Sequence, residues 1–181
     1  ILSVFEVCMD KNKSYLLEVT SVHRETNDSI RVTFRIPSDL SKTFFFKPGQ
    51  YLTFQHRIDD ELIRRSYSIC SSPEENELSI GIREIKNGKF SMWANGQLKA
   101  GDVLHVMPPR GNFTSELHHT NKKNYLCVAV GSGITPIISI LKTVFFKEPG
   151  STATLIYGNR FLSTTMFREQ LGRLKNKYLA R

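Results

Sequence analysis

The 181-residue sequence predicts two domains, an antiparallel six-stranded β-barrel followed by an incomplete, doubly wound α/β domain. The first observation is a series of short runs rich in β-branched and aromatic residues between residues 15 and about 110. The second is a change after residue 124, where buried-strand and helical patterns alternate in the order β-α-β-α. The predicted divisions are an N-terminal extension over 1–14, the barrel over 15–113, a linker over 114–124 and the partial α/β domain over 125–181.

The predicted barrel strands are separated by residues that favour turns. These signals are the segments TND and DDE and the pairs Pro48-Gly49 and Asn87-Gly88. One short helical segment, SMWANGQL, precedes the last strand. The six strands are predicted at YLLEVTSVHRE, SIRVTFRI, GQYLTFQHRI, LIRRSYSIC, ELSIGIREI and DVLHVMPP.

The second predicted domain begins with NYLCVAVGSG, an apolar run typical of a buried parallel strand. A helix, TPIISILKTVFFK, follows with Pro136 in its first turn, and ATLIYGN is the second buried strand. The segment STTMFREQLGRLKNKY predicts an amphipathic helix that opens with a capping Ser/Thr cluster and carries Phe167, Leu171 and Leu174 on one face. Two strands are fewer than the about five or six of a nucleotide-binding sheet, so we expect this domain to be incomplete.

The composition is that of a globular protein with a basic surface. It is 40% hydrophobic and 23% charged, with a formal net charge of +8. The charge favours an anionic partner: a nucleic acid, a phosphate-rich cofactor or an acidic protein. Because the basic residues are spread along the chain, a solvated basic surface is the alternative interpretation.

The sequence also bears on location and on metal binding. No apolar run approaches the roughly 20 residues that a membrane helix needs, and ILSVFEVC lacks the basic flank and cleavage site of a signal peptide. Cys8, Cys70 and Cys127 form no C-x-x-C pair, and His118 and His119 have no matching ligands. We therefore expect a cytoplasmic protein without a membrane partner or metal site, in which Cys70 and Cys127 are buried free thiols.

Two short motifs could bind phosphate groups. VGSGITP, residues 130–136, places Gly131 and Gly133 at a strand-to-helix turn, where the backbone can approach a ligand and free N–H groups are available. It is not the G-x-G-x-x-G fingerprint. In NGKFS, residues 87–91, Gly88 follows a strand and Ser91 precedes a helical segment, so this helix start could also bind a phosphate.

A third motif, RRSYS, lies within a predicted strand. Strand alternation places Arg65 and Tyr67 on one face and Ser66 and Ser68 on the other. An arginine beside an aromatic ring suits a ligand with a phosphate and a flat conjugated ring, because arginine provides a charge-assisted contact and tyrosine a stacking surface.

Each motif taken alone also has a structural explanation. Ser91 could cap the helix, the glycine turn could simply be tight, and Arg65 could pair with Asp59 or Glu61 on a solvated edge strand. The order of the three motifs is more specific than any one of them. Arg-x-Tyr-Ser comes first, Gly-x-x-Ser follows about 20 residues later, and Gly-x-Gly-x-x-Pro then opens the α/β domain.

In this order the motifs resemble the ferredoxin–NADP reductase family, in its oxygenase-reductase branch. The resemblance covers essentially residues 15–181 and includes FKPGQYLTF, RRSYSICSSP, GKFS, GDVLHVMPPRGNF, VAVGSGITPIISIL and LIYGNR. It implies that the barrel binds a flavin, FAD with FMN as the alternative, and that NAD(P)H is the electron donor.

The resemblance also implies roles for single residues in flavin binding. Arg65 would hold the pyrophosphate, Tyr67 would stack on the isoalloxazine ring, and Ser68 would hydrogen-bond near N5. Ile82 and Arg83 would contact the ring or the ribityl chain through strand backbone. The backbone N–H groups expected at the pyrophosphate are those of Gly88, Lys89, Phe90 and Ser91.

A second group of residues is implied for NAD(P)H. Thr135 would lie near the nicotinamide and is expected, with Tyr67 and Ser68, to take part in catalysis. The residues implied in nucleotide binding are Gly131, Ser132, Gly133, Ile134, Thr135, Pro136, Tyr157, Gly158, Asn159 and Arg160.

The implied function is a reductase that passes electrons from NAD(P)H through FAD to a [2Fe–2S] centre, in a further domain or a ferredoxin, and on to an oxygenase component. The cysteine cluster of such a centre is absent from the 181 residues, so the chain alone is expected to be incomplete for catalysis. The alternatives are a basic β-barrel that binds nucleic acid and a noncatalytic flavin-binding regulatory module. A nucleic-acid partner is not expected, because a nucleic-acid-binding barrel would not explain the motif VGSGITP or the β-α-β-α segment in which it lies.

Overall fold

The first half of the chain forms one antiparallel sheet of six strands in the computed structural model, which describes residues 13–179 and 181. Residues 1–12 of the predicted N-terminal extension lie outside the described residues. The order across the sheet is β4-β3-β6-β1-β2-β5. The strands are β1 (Tyr15–Thr26), β2 (Ser29–Arg35), β3 (Tyr51–Ile58), β4 (Glu61–Ser68), β5 (Leu78–Arg83) and β6 (Val103–Arg110), and helix α1 (Lys89–Gln97) lies between β5 and β6.

The predicted antiparallel six-stranded architecture is confirmed, but the barrel is not closed. Strands β4 and β5 are the two edges of the sheet. They meet at one end only, where Ile69 forms an isolated bridge with Ile80 and the Cys70 N–H donates to the Ser79 carbonyl at 2.8 Å. We call the remaining opening between these two edge strands the mouth. At the mouth, the backbone and side chains of β4 and β5 are available to a ligand.

Side chains alternate between the two faces of each strand, and the apolar side chains on one face form the core of the barrel. In β2, for example, Ile30, Val32 and Phe34 are buried on one face. Helix α1 contacts β3, β4 and β5, and its Phe90 and Ala94 join the same core. The helix therefore covers one end of the barrel beside the mouth.

The second half contains a parallel pair of strands and two helices, which confirms the predicted partial α/β domain. These elements are β7 (Asn124–Val130), α2 (Ile134–Lys147), β8 (Thr152–Gly158) and α3 (Arg168–Lys177). One face of the sheet packs into a second core that contains Cys127 and Ala129. The other face exposes Leu126, Val128 and Val130, although both faces of a parallel sheet are normally covered.

The start of α3 differs from the prediction. The Ser/Thr cluster does not cap the helix, because residues 162–164 form a separate 3-10 turn and α3 begins only at Arg168. The residue before it, Phe167, has a left-handed backbone (φ 58°) and makes no side-chain cap. Its ring is buried in the second core, so packing rather than capping positions this turn.

The polar junction before β7 is fixed by a buried carboxylate. Glu148, just after α2, accepts hydrogen bonds from the His118 N–H at 3.2 Å, the Tyr125 hydroxyl at 2.9 Å and the Ser151 hydroxyl at 2.7 Å. The Asn121 amide contacts the same carboxylate. Burial alone would raise the pKa of Glu148, but these hydrogen bonds outweigh it and hold the pKa below its ordinary value. The junction is therefore tied to the α/β half by an ionised side chain.

Candidate functional site

Strand β4 carries the first group of predicted site residues on the edge of the sheet. Its pairing with β3 sets Arg65 opposite Phe54 and Tyr67 opposite Leu52. Phe54 and Leu52 are fully buried. Arg65 and Tyr67 therefore share the inner face of β4 at the mouth, as the alternation predicts.

The two serines of RRSYS lie on the other face of β4. Ser66 pairs with Thr53, and their hydroxyl oxygens are 2.9 Å apart. Ser68, the last residue of the strand, is half-buried opposite Tyr51. A flat ligand could therefore contact both Tyr67 and Ser68 only at the end of the strand.

Tyr67 presents a neutral aromatic surface at the mouth. Its ring is half-buried, with its centroid 5.6 Å from that of Phe90 and 6.2 Å from that of Phe54. Burial raises the pKa of the Tyr67 phenol to about 12, although the charge of Arg65 acts in the opposite direction. The phenol consequently keeps its proton at neutral pH.

The N-terminus of α1 forms the second part of the candidate site. A Cβ atom on Gly88, just before the helix, would lie 2.5 Å from the Ser91 hydroxyl oxygen and 2.9 Å from the Ile85 carbonyl oxygen. The turn therefore has no room for a side chain at position 88. The helix has no side-chain cap, so its first N–H groups and its positive dipole end are available to an anion.

The alternative that Ser91 caps this helix is wrong. Ser91 lies within α1 and is 4% exposed. Its hydroxyl accepts from the Ile85 N–H at 3.1 Å and donates to the Gly88 carbonyl at 3.1 Å. The hydroxyl therefore holds the preceding turn together, and the backbone N–H is the part of Ser91 that could meet a ligand.

We expect Gly88→Ala to destabilise the protein by about 1–3 kcal/mol, because the added methyl group overlaps the Ser91 hydroxyl and the Ile85 carbonyl. Gly96→Ala in the same helix is the matched control. A Cβ there has no described atom within 4 Å, so this change should stabilise by about 0.5–1 kcal/mol. Urea unfolding measures both, and equal effects of the two substitutions would contradict the tight turn at Gly88.

Strand β5 borders the mouth on the opposite side. The Ile82 side chain is 1% exposed in the barrel core, so only its backbone could contact a ligand. Arg83 is partly buried and forms an ion pair with Asp28, with 2.8 Å between Nη2 and Oδ2. Its Nε also donates to the same carboxylate oxygen at 2.9 Å. Asp28 thereby fixes the guanidinium where β5 ends.

The glycine turn of the α/β half lies against this guanidinium. Gly131–Gly133 form a 3-10 turn between β7 and α2, and Gly131 has a positive φ of 52°. A Cβ atom on Gly131 would lie 3.1 Å from Arg83 Nη1. Thr135 is 2% exposed, and its hydroxyl donates to the Ser132 carbonyl at 2.8 Å. The Thr135 hydroxyl therefore stabilises the turn.

The residues of this turn differ in their exposure. Ser132 and Gly133 are exposed, Pro136 is half-buried in the first turn of α2, and Ile134 is fully buried in the second core. A ligand approaching from solvent would thus meet the backbone of Ser132 and Gly133.

The end of β8 meets the same turn. The Tyr157 hydroxyl donates to the Gly131 carbonyl at 2.9 Å. Gly158 and Arg160 are exposed, whereas Asn159 is half-buried and its Oδ1 atom is buried without a hydrogen-bond partner among the described residues. An orphaned oxygen of this kind is a position where a ligand donor could bind.

The structure thus brings the predicted residues together on the two sides of β5. This strand contacts α1, β4 and the glycine turn. Arg65 and Lys89, in contrast, are not joined to one another: Arg65 donates to the Arg64 carbonyl at 2.8 Å, and Lys89 pairs with Glu61. The alternative ion pair of Arg65 with Asp59 or Glu61 is not among the ion pairs of the described residues.

Gly81 lies at the contact between β5 and the α/β half, and the three sequence motifs do not include it. A Cβ atom on Gly81 would lie 3.0 Å from the Phe167 ring, 3.1 Å from Met166 and 3.2 Å from Thr135. This glycine lets β5 approach the α/β half closely. An isolated glycine in an otherwise alternating strand, SIGIR, is the sequence signal that could have indicated it.

Within the described part of the chain, no helix combines the length and the apolar character that crossing a membrane requires.

Two family models match the chain in succession. The oxidoreductase FAD-binding domain matches residues 16–115, and the oxidoreductase NAD-binding domain matches residues 127–181. One subunit of the 1,2-phenylacetyl-CoA epoxidase of Escherichia coli K12 is 42% identical over 162 residues, which are 90% of this chain and 46% of that protein. The ferredoxin reductase component of the 3-ketosteroid-9-alpha-monooxygenase of Rhodococcus rhodochrous is 35% identical over 94% of this chain and 48% of its own length.

Solved structures show the same fold. A ferredoxin NADP+ reductase from Neisseria gonorrhoeae, determined with bound FAD and NADP, superposes with a TM-score of 0.75 at 23% identity, covering 91% of this chain and 65% of that one. The chain spans about half the length of the two curated relatives. The FAD-binding model alone covers 100 of the 181 residues, and the NAD-binding model follows it. The chain therefore belongs to the oxidoreductases in which an FAD-binding domain is followed by an NAD-binding domain, and it has the fold of a ferredoxin NADP+ reductase.

Proposed function

We propose that the protein is the reductase component of an oxygenase system, which passes electrons from NAD(P)H through FAD to an iron–sulfur centre and then to an oxygenase. The observation that carries the proposal is the position of β5 between two candidate phosphate sites. Helix α1 contacts this strand, and the Gly131 turn contacts it and lies beside Arg83. Two cofactors bound at these sites would meet at the mouth.

The residues around the mouth fit a flavin nucleotide. Gly88 leaves room for a close approach to the uncapped α1 N-terminus, and Arg65 adds a guanidinium on the inner face of β4. Together they provide backbone N–H groups and a positive charge for a pyrophosphate, which favours FAD over FMN. When bound, FAD would accept hydride from NAD(P)H and release electrons one at a time.

The other residues of β4 orient the flat part of the ligand. Tyr67 offers its neutral ring as a stacking surface and excludes water from that side of the mouth. Ser68, at the strand end, has a hydroxyl that could donate to a ring nitrogen there. The backbone of Ile82 and Arg83 would border the opposite side of the ligand, on β5.

The dinucleotide would lie across the carboxyl ends of β7 and β8, the usual location in open α/β sheets. The exposed backbone of Ser132 and Gly133 would face its phosphates. Asn159 could bind a donor through its orphaned oxygen, and exposed Arg160 could contact a phosphate. Thr135 acts by holding the turn through the Ser132 carbonyl, since its hydroxyl is already engaged.

The names of the relatives support the proposed partners. One relative is part of an epoxidase and another is the ferredoxin reductase component of a monooxygenase. We accordingly propose an electron acceptor of the [2Fe–2S] type, in a ferredoxin or a further domain, and an oxygenase downstream of it. We also propose the domain division 15–113 and 125–181 and a cytoplasmic location, which the free buried thiols of Cys70 and Cys127 support.

Titration of the purified chain with FAD tests the first step. We expect saturable quenching of flavin fluorescence with one FAD per chain, because the aromatic ring of Tyr67 would lie against the flavin. A colourless protein that carries excess nucleic-acid absorbance and does not quench FAD would instead support the nucleic-acid alternative.

The flavin-loaded chain should react poorly with NADH and NADPH. Its nucleotide sheet has two described strands, and one face of that sheet is exposed at Val128 and Val130. Rapid anaerobic bleaching of the flavin absorbance at low reductant concentration would contradict this expectation.

A further inference from the structure

An acidic side chain stands among the cations of the proposed phosphate site. Alternation along β4 places Glu61 on the same face as Arg65 and Tyr67. Glu61 is the first residue of the strand and is exposed. A carboxylate is unexpected beside a site for an anionic ligand, because it repels that ligand.

The carboxylate of Glu61 pairs with Lys89, the first residue of α1. The hydrogen bond and the charge of Lys89 lower the pKa of Glu61, and the charge of Arg65 acts in the same direction. Glu61 is therefore ionised at neutral pH and lies in the field of both cations. Glu61 therefore neutralises the charge of Lys89 at the end of α1 where the phosphate is proposed to bind.

We infer that Glu61 is an internal competitor of the flavin phosphate: it occupies Lys89, repels the incoming anion and so sets the affinity for flavin nucleotides. This inference rests on the proposed function of the mouth as a flavin site. Binding of a phosphate there requires Lys89 to leave Glu61 or to share its charge between two anions. The affinity for flavin nucleotides is consequently lower than it would be if Arg65 and the α1 N-terminus acted without Glu61.

The test compares Glu61→Gln with the unchanged chain in titrations with FAD, FMN and riboflavin at low salt. Removing one nearby negative charge should tighten FAD and FMN binding by about three- to tenfold. Riboflavin has no phosphate, so its affinity should not change. Glu61→Lys should tighten FAD and FMN further, and the gain should shrink at high salt because the interaction is screened.

Glu169→Gln is the matched control. Glu169 is an exposed acid on α3 that pairs with Arg173, so this substitution changes the net charge equally on an element that is not part of the proposed flavin site. It should leave the affinity for all three flavins unchanged.

Three results would overturn the inference. They are an unchanged or weaker FAD affinity of Glu61→Gln, an equal gain for riboflavin, and an equal gain from Glu169→Gln. If the unchanged chain binds none of the three flavins, the proposed function itself fails. If it binds FAD while Glu61→Gln has no effect, only the role of Glu61 fails.

Discussion

Arg65→Ala should weaken FAD binding about 10- to 100-fold, since a charge-assisted hydrogen bond to phosphate contributes about 1.5–3 kcal/mol. Arg65 lies on the inner face of β4, opposite the buried Phe54 and on the same face as Tyr67. In the described structure its guanidinium donates only to the neighbouring Arg64 carbonyl, so it is free to turn toward an anion. Fluorescence titration with FAD measures the effect, and the salt dependence of binding should also decrease.

The neighbouring arginine is the control for this experiment. Arg64 is paired in register with Gln55 and lies on the other face of β4. Arg64→Ala removes the same charge one residue away and should change FAD affinity by less than about threefold. A larger loss for Arg64→Ala than for Arg65→Ala would show that the wrong arginine has been assigned to the phosphate.

Gly49→Ala should destabilise the protein by about 3–5 kcal/mol, which combines a strained positive φ with overpacking. Gly49 follows Pro48 in the turn before β3 and has a φ of 90°. A Cβ atom there would lie 1.8 Å from the Phe113 carbonyl oxygen, which is backbone and cannot rotate away. Chemical unfolding should show a correspondingly lower midpoint.

Gly101→Ala separates the two causes. Gly101 has nearly the same φ, 92°, but a Cβ atom there has no described atom within 4 Å. It should therefore show only the cost of the backbone conformation, about 1–2 kcal/mol. If Gly49→Ala is no more destabilising than Gly101→Ala, the close approach of Phe113 to Gly49 is not as described.

Much of the fold could be predicted because local patterns and tertiary packing agree. The alternating strand β2 and the βα turn at Gly131 follow from residue periodicity and from glycine chemistry. The start of α3 could not be predicted in this way. Ser163 and Thr165 satisfy the chemistry of a cap, but burial of Phe167 in the second core determines where the helix begins.

In the candidate site, too, some features follow from the local sequence and others only from the folded structure. Alternation predicts that Arg65 and Tyr67 share a face, since this depends on one strand alone. The pairs Glu61–Lys89 and Arg83–Asp28 join residues far apart in the sequence, so only the folded sheet reveals them. The cap considered as an alternative for Ser91 could be rejected only in the folded structure, where the hydroxyl closes the turn at Ile85 instead of capping α1.

The most direct test of the account is backbone amide exchange of the chain with and without FAD. Binding between β4 and α1 predicts slower exchange of the amides of Lys89, Phe90 and Ser91 when FAD is added. Riboflavin, which lacks the pyrophosphate, should protect the end of β4 but not these three amides. Protection confined to the Gly131–Gly133 turn, or no protection at saturating FAD, would contradict a flavin site at the mouth.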